Sequence, residues 1–211
     1  MSAFDEIRWL GEGVDYQEAL ALQEELVLQR FRGEIGDTLL LLEHAPVYTI
    51  GRTRDQSSLR NPELLPAPVV EINRGGQATY HGPGQLTGYL ICDLKQRNRD
   101  LHRYLRDIEE ALSETCGHYG VKAGSREGLT GVWCGERKLA SIGVGVRKWI
   151  AMHGFGINIA ERAQLPFHAI TPCGLDGVSM TSLHAEAAND AVTSEQFGRE
   201  FAKRFPKASS E

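Results

Sequence analysis

The sequence predicts an α+β fold: a mixed or antiparallel sheet flanked by helices in a single domain. Three observations carry that expectation. Helical and strand-like segments follow one another without a regular β-α-β alternation, and no repeat, low-complexity tract or linker divides them. The stretch from Thr130 to Ile159 reads as consecutive hairpins. A chain of 211 residues, 41% hydrophobic and 24% charged, has ordinary globular composition and a length that buries about 70% of its surface without staples.

In chain order, Asp15 to Arg32 reads as a helix. Asp15 is a candidate N-cap with Glu18 three residues on, Tyr16, Leu20, Val27 and Phe31 share a face widened by Ala19, Leu22 and Leu26, and Gly33 follows the end. Leu39 to Leu42 is too short for a helix and reads as a buried strand, continuing past Pro46 into Val47 to Ile50. Residues 52 to 68 are polar and proline-bearing, hence a loop. Val69 to Ile72 and Tyr89 to Cys92 are strands on either side of a glycine-rich stretch, Arg74 to Gly84. Leu101 to Tyr119 is a second helix, with Leu101, Leu105, Ile108 and Leu112 on its apolar stripe. Val132 to Cys134 leads through Gly135-Glu136-Arg137 into an alternating strand, Lys138 to Val146, and a further strand, Trp149 to Ile159. Residues 160 to 178 are mostly loop. Thr193 to Phe205 is a terminal helix with Thr193 and Gln196 as its capping pair, ended by Pro206, and the tail from about 206 to 211 frays.

Composition excludes several classes. No apolar run approaches the ~20 residues that span a bilayer, and the first six residues lack a signal peptide's basic and apolar regions, so the expectation is a cytoplasmic protein with no membrane partner. The net charge of -5 argues against a nucleic-acid partner. Four widely spaced cysteines (Cys92, Cys116, Cys134, Cys173) form neither a zinc pattern nor a disulfide framework, so no metal is expected.

Glycine is enriched, 23 in 211 residues against a usual ~7%, and four segments hold the candidate chemistry. Arg74-Gly75-Gly76-Gln77-Ala78-Thr79-Tyr80-His81-Gly82-Pro83-Gly84 is neither a phosphate loop nor a dinucleotide fingerprint. Its backbone can press against an extended ligand, Arg74 can bind an anion, and Tyr80 and His81 can line a pocket; a plain glycine-rich hairpin reads equally well. Lys138 opens an alternating strand among apolar neighbours, where it is either a catalytic ammonium or a snorkelling surface side chain. Cys173 lies in the loop Thr171-Pro172-Cys173-Gly174, where backbone geometry can hold a thiol at a pocket mouth beside N–H groups for a developing oxyanion. The other cysteines sit in strands and a helix, where a buried thiol is a small hydrophobe. His153-Gly154-Phe155-Gly156 places glycines within a strand, a sign of ligand approach or a bulge.

Together these segments resemble the lipoyl(octanoyl) transferases of the biotin/lipoate protein ligase superfamily. The resemblance rests on Leu42-Glu43-His44-Ala45-Pro46-Val47-Tyr48-Thr49-Ile50-Gly51-Arg52, the Arg74 to Leu86 stretch, Lys138-Leu139-Ala140-Ser141-Ile142-Gly143, His153-Gly154 with Asn158, and Pro172-Cys173-Gly174, in one order along most of the chain. It implies a biotin/lipoate ligase-like α+β domain. By position, Cys173 is the nucleophile that carries the acyl group as a thioester, and Lys138 lowers its pKa. Arg74, Gly75, Gly76, Gln77, Ala78, Thr79, Tyr80 and His81, with Ser141, Ile142, Gly143, Gly154, Phe155 and Gly156, line the acyl site. Gly156-Ile157-Asn158 stands where the family suggests an alanine-leucine-asparagine sequence, and Gly145 where a larger residue is common; both bear on pocket shape.

The implied reaction takes an octanoyl or lipoyl group from acyl carrier protein to a lysine of lipoyl domains, those of 2-oxoacid dehydrogenases and the glycine-cleavage H protein. Because the donor is an activated thioester, no cofactor, ATP or metal is implied. Burying the eight-carbon tail at ~0.8 kcal/mol per CH₂ supplies roughly 5–6 kcal/mol of binding. Two alternatives are an ATP-dependent lipoate or biotin ligase of the same fold and a non-catalytic acyl or lipoyl-domain binder. For an acidic carrier the candidate docking patch is Arg97, Arg99, Arg103 and Arg106, with Arg52 and Arg54 as another pair; a solvated helix face reads at least as well.

Overall fold

The computed structural model describes residues 2–51, 56–72, 76–172, 177–187 and 190–208. The elements in order are β1 (Glu6–Trp9), α1 (Tyr16–Arg32), β2 (Thr38–Leu42), β3 (Val47–Ile50), β4 (Val69–Glu71), β5 (Thr79–His81), β6 (Gln85–Ile91), α2 (Leu101–His118), β7 (Gly124–Arg126), β8 (Leu129–Cys134), β9 (Arg137–Arg147), β10 (Ile150–Asn158), α3 (Leu183–Ala187) and α4 (Ser194–Arg204). Seven strands form one sheet in the order β1-β2-β6-β10-β9-β8-β7, and β4-β3-β5 form a second. Both sheets are mixed: β1 runs parallel to β2 and β3 parallel to β4, while the other pairs are antiparallel.

The run Leu39-Leu40-Leu41-Leu42 is apolar without alternation because both faces of its sheet are covered. Leu39 and Leu41 join the cluster under α2 and α4, with Ile108, Leu112, Phe197 and Phe201. Leu40 and Leu42 join the opposite cluster under α1, with Leu26 and Val27. Helix ends follow local chemistry. Asp15 accepts from the amides of Gln17 and Glu18, Gly33 takes the left-handed conformation after α1, and Thr193 and Gln196 close a full capping box on α4. The accessible surface is 10013 Å², close to the ~9,700 Å² that mass scaling gives.

Three expectations are corrected, and the candidate basic patch has partners of its own. Leu39 to Ile50 is two strands in two sheets, because Pro46 cannot donate to a ladder and Glu43 and Ala45 send their N–H groups to Gly11 and Val14 instead. β1 and β7 were not expected; both are short strands at the edges of the larger sheet. On α2 the core stripe is Tyr104, Ile108, Ala111 and Leu112, whereas Leu101 and Leu105 face a cavity. The candidate basic patch is largely paired. Arg97 is buried and donates to the Pro206 carbonyl, Arg103 bridges Asp107 one turn on and Glu110 two turns on, and Arg106 meets Glu109 one turn on. Arg99 stacks on Trp149, and Arg52 and Arg54 lie outside the described residues.

Candidate active site

A cavity of about 440 Å³ opens between β5, β9, β10 and the first turns of α1 and α2, within the size range of small-ligand sites. Of the residues expected at the acyl site, Gly76, Thr79, His81, Ser141, Ile142, Gly143, Gly154, Phe155 and Gly156 line it, together with Lys138. Ala78 and Tyr80 do not: alternation along β5 turns them to the other side, where they pack with Tyr48, Leu59 and Phe167. Gln77 is likewise not part of the wall. Arg74, Gly75 and Cys173 lie outside the described residues. Gly128, Thr130 and His153 line it as well, and so do Tyr16, Tyr89, Leu101, Leu105, Leu129 and Val144, which were not foreseen in it; as helix and strand residues with ordinary apolar or aromatic side chains these six carried no signal beyond core packing.

Lys138 is 1% exposed, which settles the choice between a surface lysine and a buried one. Its Nζ stands 5.2 Å from the Trp133 ring centroid, a cation–π contact. Its stem passes close over Gly131, whose φ is +131° and where a Cβ would lie 2.5 Å from the Ala140 carbonyl and 3.0 Å from Lys138 Cε. Glu109, buried on α2, accepts the Gly131 N–H at 2.9 Å and holds that crossing in place.

The backbone of Lys138 is bound on its open edge by the chain that returns from the 173–176 segment. Lys138 N–H donates to the Ser179 carbonyl at 2.8 Å, and Thr181 N–H donates to the Lys138 carbonyl at 2.9 Å. On the entering side, Thr171 N–H donates to the Ser58 carbonyl at 2.7 Å, and Ser58 Oγ accepts the Ala78 N–H at 3.1 Å. Ser58, in a short 3₁₀ turn of a stretch read from sequence as plain loop, thus ties the glycine-rich stretch to the start of the Cys173 loop. The three described cysteines, Cys92, Cys116 and Cys134, are buried. Burial raises each thiol pKa, that of Cys134 to about 11.

Rings gather along one wall of the cavity. His44 is fully buried, with Nδ1 2.9 Å from the Val14 carbonyl and Nε2 2.7 Å from the Tyr89 hydroxyl. A carbonyl only accepts, so Nδ1 carries the proton and Tyr89 donates to Nε2. Burial depresses the His44 pKa to about 4, in keeping with a neutral ring. Glu43 beside it accepts the Gly84 N–H at 2.7 Å and the Ser194 hydroxyl, fixing the turn between β5 and β6 against α4. The glycines are there for space. A Cβ at Gly88 would lie 2.4 Å from the Phe155 ring, and one at Gly156 would lie 2.8 Å from Gln85 Oε1.

The family model of the lipoyl protein ligase A/B catalytic domain matches residues 15–206. The chain belongs to that family. Within the lipoyl protein ligase A/B family it is 51% identical over 182 residues to the octanoyltransferase of Citrifermentans bemidjiense, covering 86% of this chain and 87% of that one. It is 44% identical over 205 residues to the octanoyltransferase of Solibacter usitatus, covering 94% and 92%. Among solved structures, protein Ta0514 of T. acidophilum with bound lipoic acid superposes with a TM-score of 0.71 at 16% identity, over 95% of this chain and 83% of that one. Lipoate-protein ligase A bound with ATP gives 0.61 at 17% identity, over 95% of each chain. At these identities the structural likeness speaks to fold alone, and the fold is that of the lipoate and biotin ligases.

Proposed function

We propose that this protein is an octanoyltransferase of protein lipoylation. It moves an octanoyl or lipoyl group from acyl carrier protein to a lysine of lipoyl domains, through a thioester on Cys173. The observation that carries the reading is 51% identity to an octanoyltransferase along 182 residues, joined to an apolar-walled cavity that the buried Lys138 lines. Two features support Cys173 as the nucleophile. The three described thiols are buried and held protonated by desolvation, and the thiolate is the reactive form. The chain leaving the Cys173 loop is bonded to the backbone of Lys138, an ammonium that favours a nearby thiolate.

In the first half-reaction the thiolate attacks the carrier thioester and the carrier thiolate leaves, a nearly isoenergetic exchange. In the second, the acceptor amine attacks the acyl-enzyme, a C–N bond forms, the C–S bond breaks, and the proton lost by the amine ends on the departing thiol. Leu101, Leu105, Ile142, Val144 and Phe155 supply an apolar wall for the acyl tail. Intact-mass analysis tests the reading: octanoyl carrier protein alone leaves one hydroxylamine-labile octanoyl group on the wild type and none on Cys173→Ala. Labelling that persists in Cys173→Ala removes Cys173 from the reaction.

A further inference from the structure

The hairpin that joins β9 to β10 turns on Lys148 and Trp149, with φ of +54° and +66°. A two-residue turn of this hand favours asparagine and glycine, and a tryptophan there is a conformational outlier. Beside it, the 3₁₀ turn Leu94–Arg97 ends in Asn98 and Arg99, whose φ values of +55° and +53° are also left-handed. The two turns are locked together. Leu94 N–H donates to the Trp149 carbonyl and Arg99 N–H to the Leu94 carbonyl, both at 2.8 Å. This backbone holds out rings and cations. Trp149 is 42% exposed and Phe31, at the end of α1, 40%. Arg99 lies 5.7 Å from the Trp149 ring centroid, and Lys148 and Lys95 lie 4.3 and 5.3 Å from that of Phe31. Arg147 adds a further exposed cation. Among the described residues, no carboxylate forms an ion pair with Lys95, Arg99, Arg147 or Lys148. The acids nearest in sequence are engaged elsewhere: Asp93 stands 3.9 Å from Arg30, and Asp100 caps α2 through the Arg103 N–H. A groove of about 370 Å³ is lined by Arg99, Leu101, Val146, Lys148 and Trp149. Leu101 lines the active-site cavity as well, so the groove leads to its mouth.

We propose that this surface docks the acyl donor, an acidic carrier protein that presents its acyl group on a long flexible arm; the proposal rests on the transferase reading above. Charge gives the sign. The chain as a whole carries a net charge of -5, so an acidic partner is repelled except where cations stand without carboxylates. Attraction at such a patch steers and orients the partner. The exposed rings supply aromatic anchors of the kind that dominate interface energetics. Their faces already hold the cations in place, which lowers the entropy lost on pairing. Reach separates donor from acceptor. Val146 is eight residues from Lys138 along β9, about 26 Å at ~3.3 Å per residue. The four methylenes of an acceptor lysine do not cross that distance, so a lipoyl domain seated here would hold its amine away from the acyl group. A donor on an arm crosses it.

The test compares donors that share the chemistry and differ in the protein. Acylation of the full chain is followed by intact mass with octanoyl carrier protein and with octanoyl-pantetheine, a thioester without the protein. In the double variant Arg99→Glu/Lys148→Glu, the second-order rate constant for octanoyl carrier protein is expected to fall about tenfold more than that for octanoyl-pantetheine at low salt, and the gap to close at high salt. Trp149→Gly removes a ring while giving the turn a residue it favours, so a weaker response to the carrier with an unchanged or raised Tm is expected. Equal losses on the two donors, or none, overturn the proposal. So does a loss confined to amide formation from pre-formed octanoyl-enzyme, which assigns the surface to the lipoyl domain. Calorimetric titration with unacylated carrier needs no turnover: salt-sensitive binding that the double variant weakens about tenfold is expected, and equal binding by both proteins overturns the proposal. A wild type that binds the carrier in this way yet is never acylated would fault the transferase reading and leave the docking surface standing.

Discussion

His44 shows how a buried ring beside the cavity ties stability to pH. Its folded pKa is about 4, against 6.5 for an exposed histidine. Between those values the unfolded chain binds a proton that the folded chain refuses, so stability is lost as pH falls from 6.5 toward 4. The loss amounts to about 3 kcal/mol over the window. Denaturant titrations at pH 7.5 and 5 should therefore show a steeper decline for the wild type than for His44→Gln; equal declines would mean that His44 does not stay neutral. Lys138 makes a complementary prediction. If its ammonium is the partner of Cys173, Lys138→Met raises the pH midpoint of Cys173 alkylation by about one to two pH units. An unmoved midpoint separates the two side chains. At this scale the sequence was legible where chemistry is rare: Lys138 and His81 stood out by motif. Gln85 and Ser58 did not, because an amide or hydroxyl acquires its meaning only from partners far along the chain.

At the scale of elements, β6 and β10 build the cavity floor by omission. Phe155 crosses over Gly88, and Gly156 leaves room for the Gln85–His81 contact. Gly88→Ala should overpack this crossing and cost about 1–3 kcal/mol in a folding measurement, with loss of cavity shape; a neutral effect would show that the Phe155 ring moves aside freely. The β9–β10 hairpin was readable because its alternation and turn signals are local. The 3₁₀ turn at Gln56–Leu59 was not, since its role depends on Ser58 reaching Ala78 and Thr171. The glycine-rich stretch was read as a continuous wall, yet a strand shows only alternate residues to one side, so Thr79 and His81 face the cavity while Ala78 and Tyr80 face the second sheet's own core.

Over the whole molecule, two mixed sheets, helices on both faces of the larger one and a cavity where α1, α2 and the sheets meet make one framework. Fold class was legible because element types follow from local pattern. The split of Leu39 to Ile50 between two sheets was not, because it depends on what the Glu43 and Ala45 amides find across the chain. No described helix is long and apolar enough to cross a membrane. The central claim is that acyl transfer draws its driving force from a carrier thioester and passes through Cys173. The measurement that tests it most directly incubates the full chain with octanoyl carrier protein and a lipoyl domain, with ATP absent and a metal chelator present, and follows both proteins by mass. The account predicts a transient octanoyl-enzyme that decays as one hydroxylamine-stable octanoyl group appears on the lipoyl domain. A strict requirement for ATP, or product formed by Cys173→Ala at the wild-type rate, would contradict it.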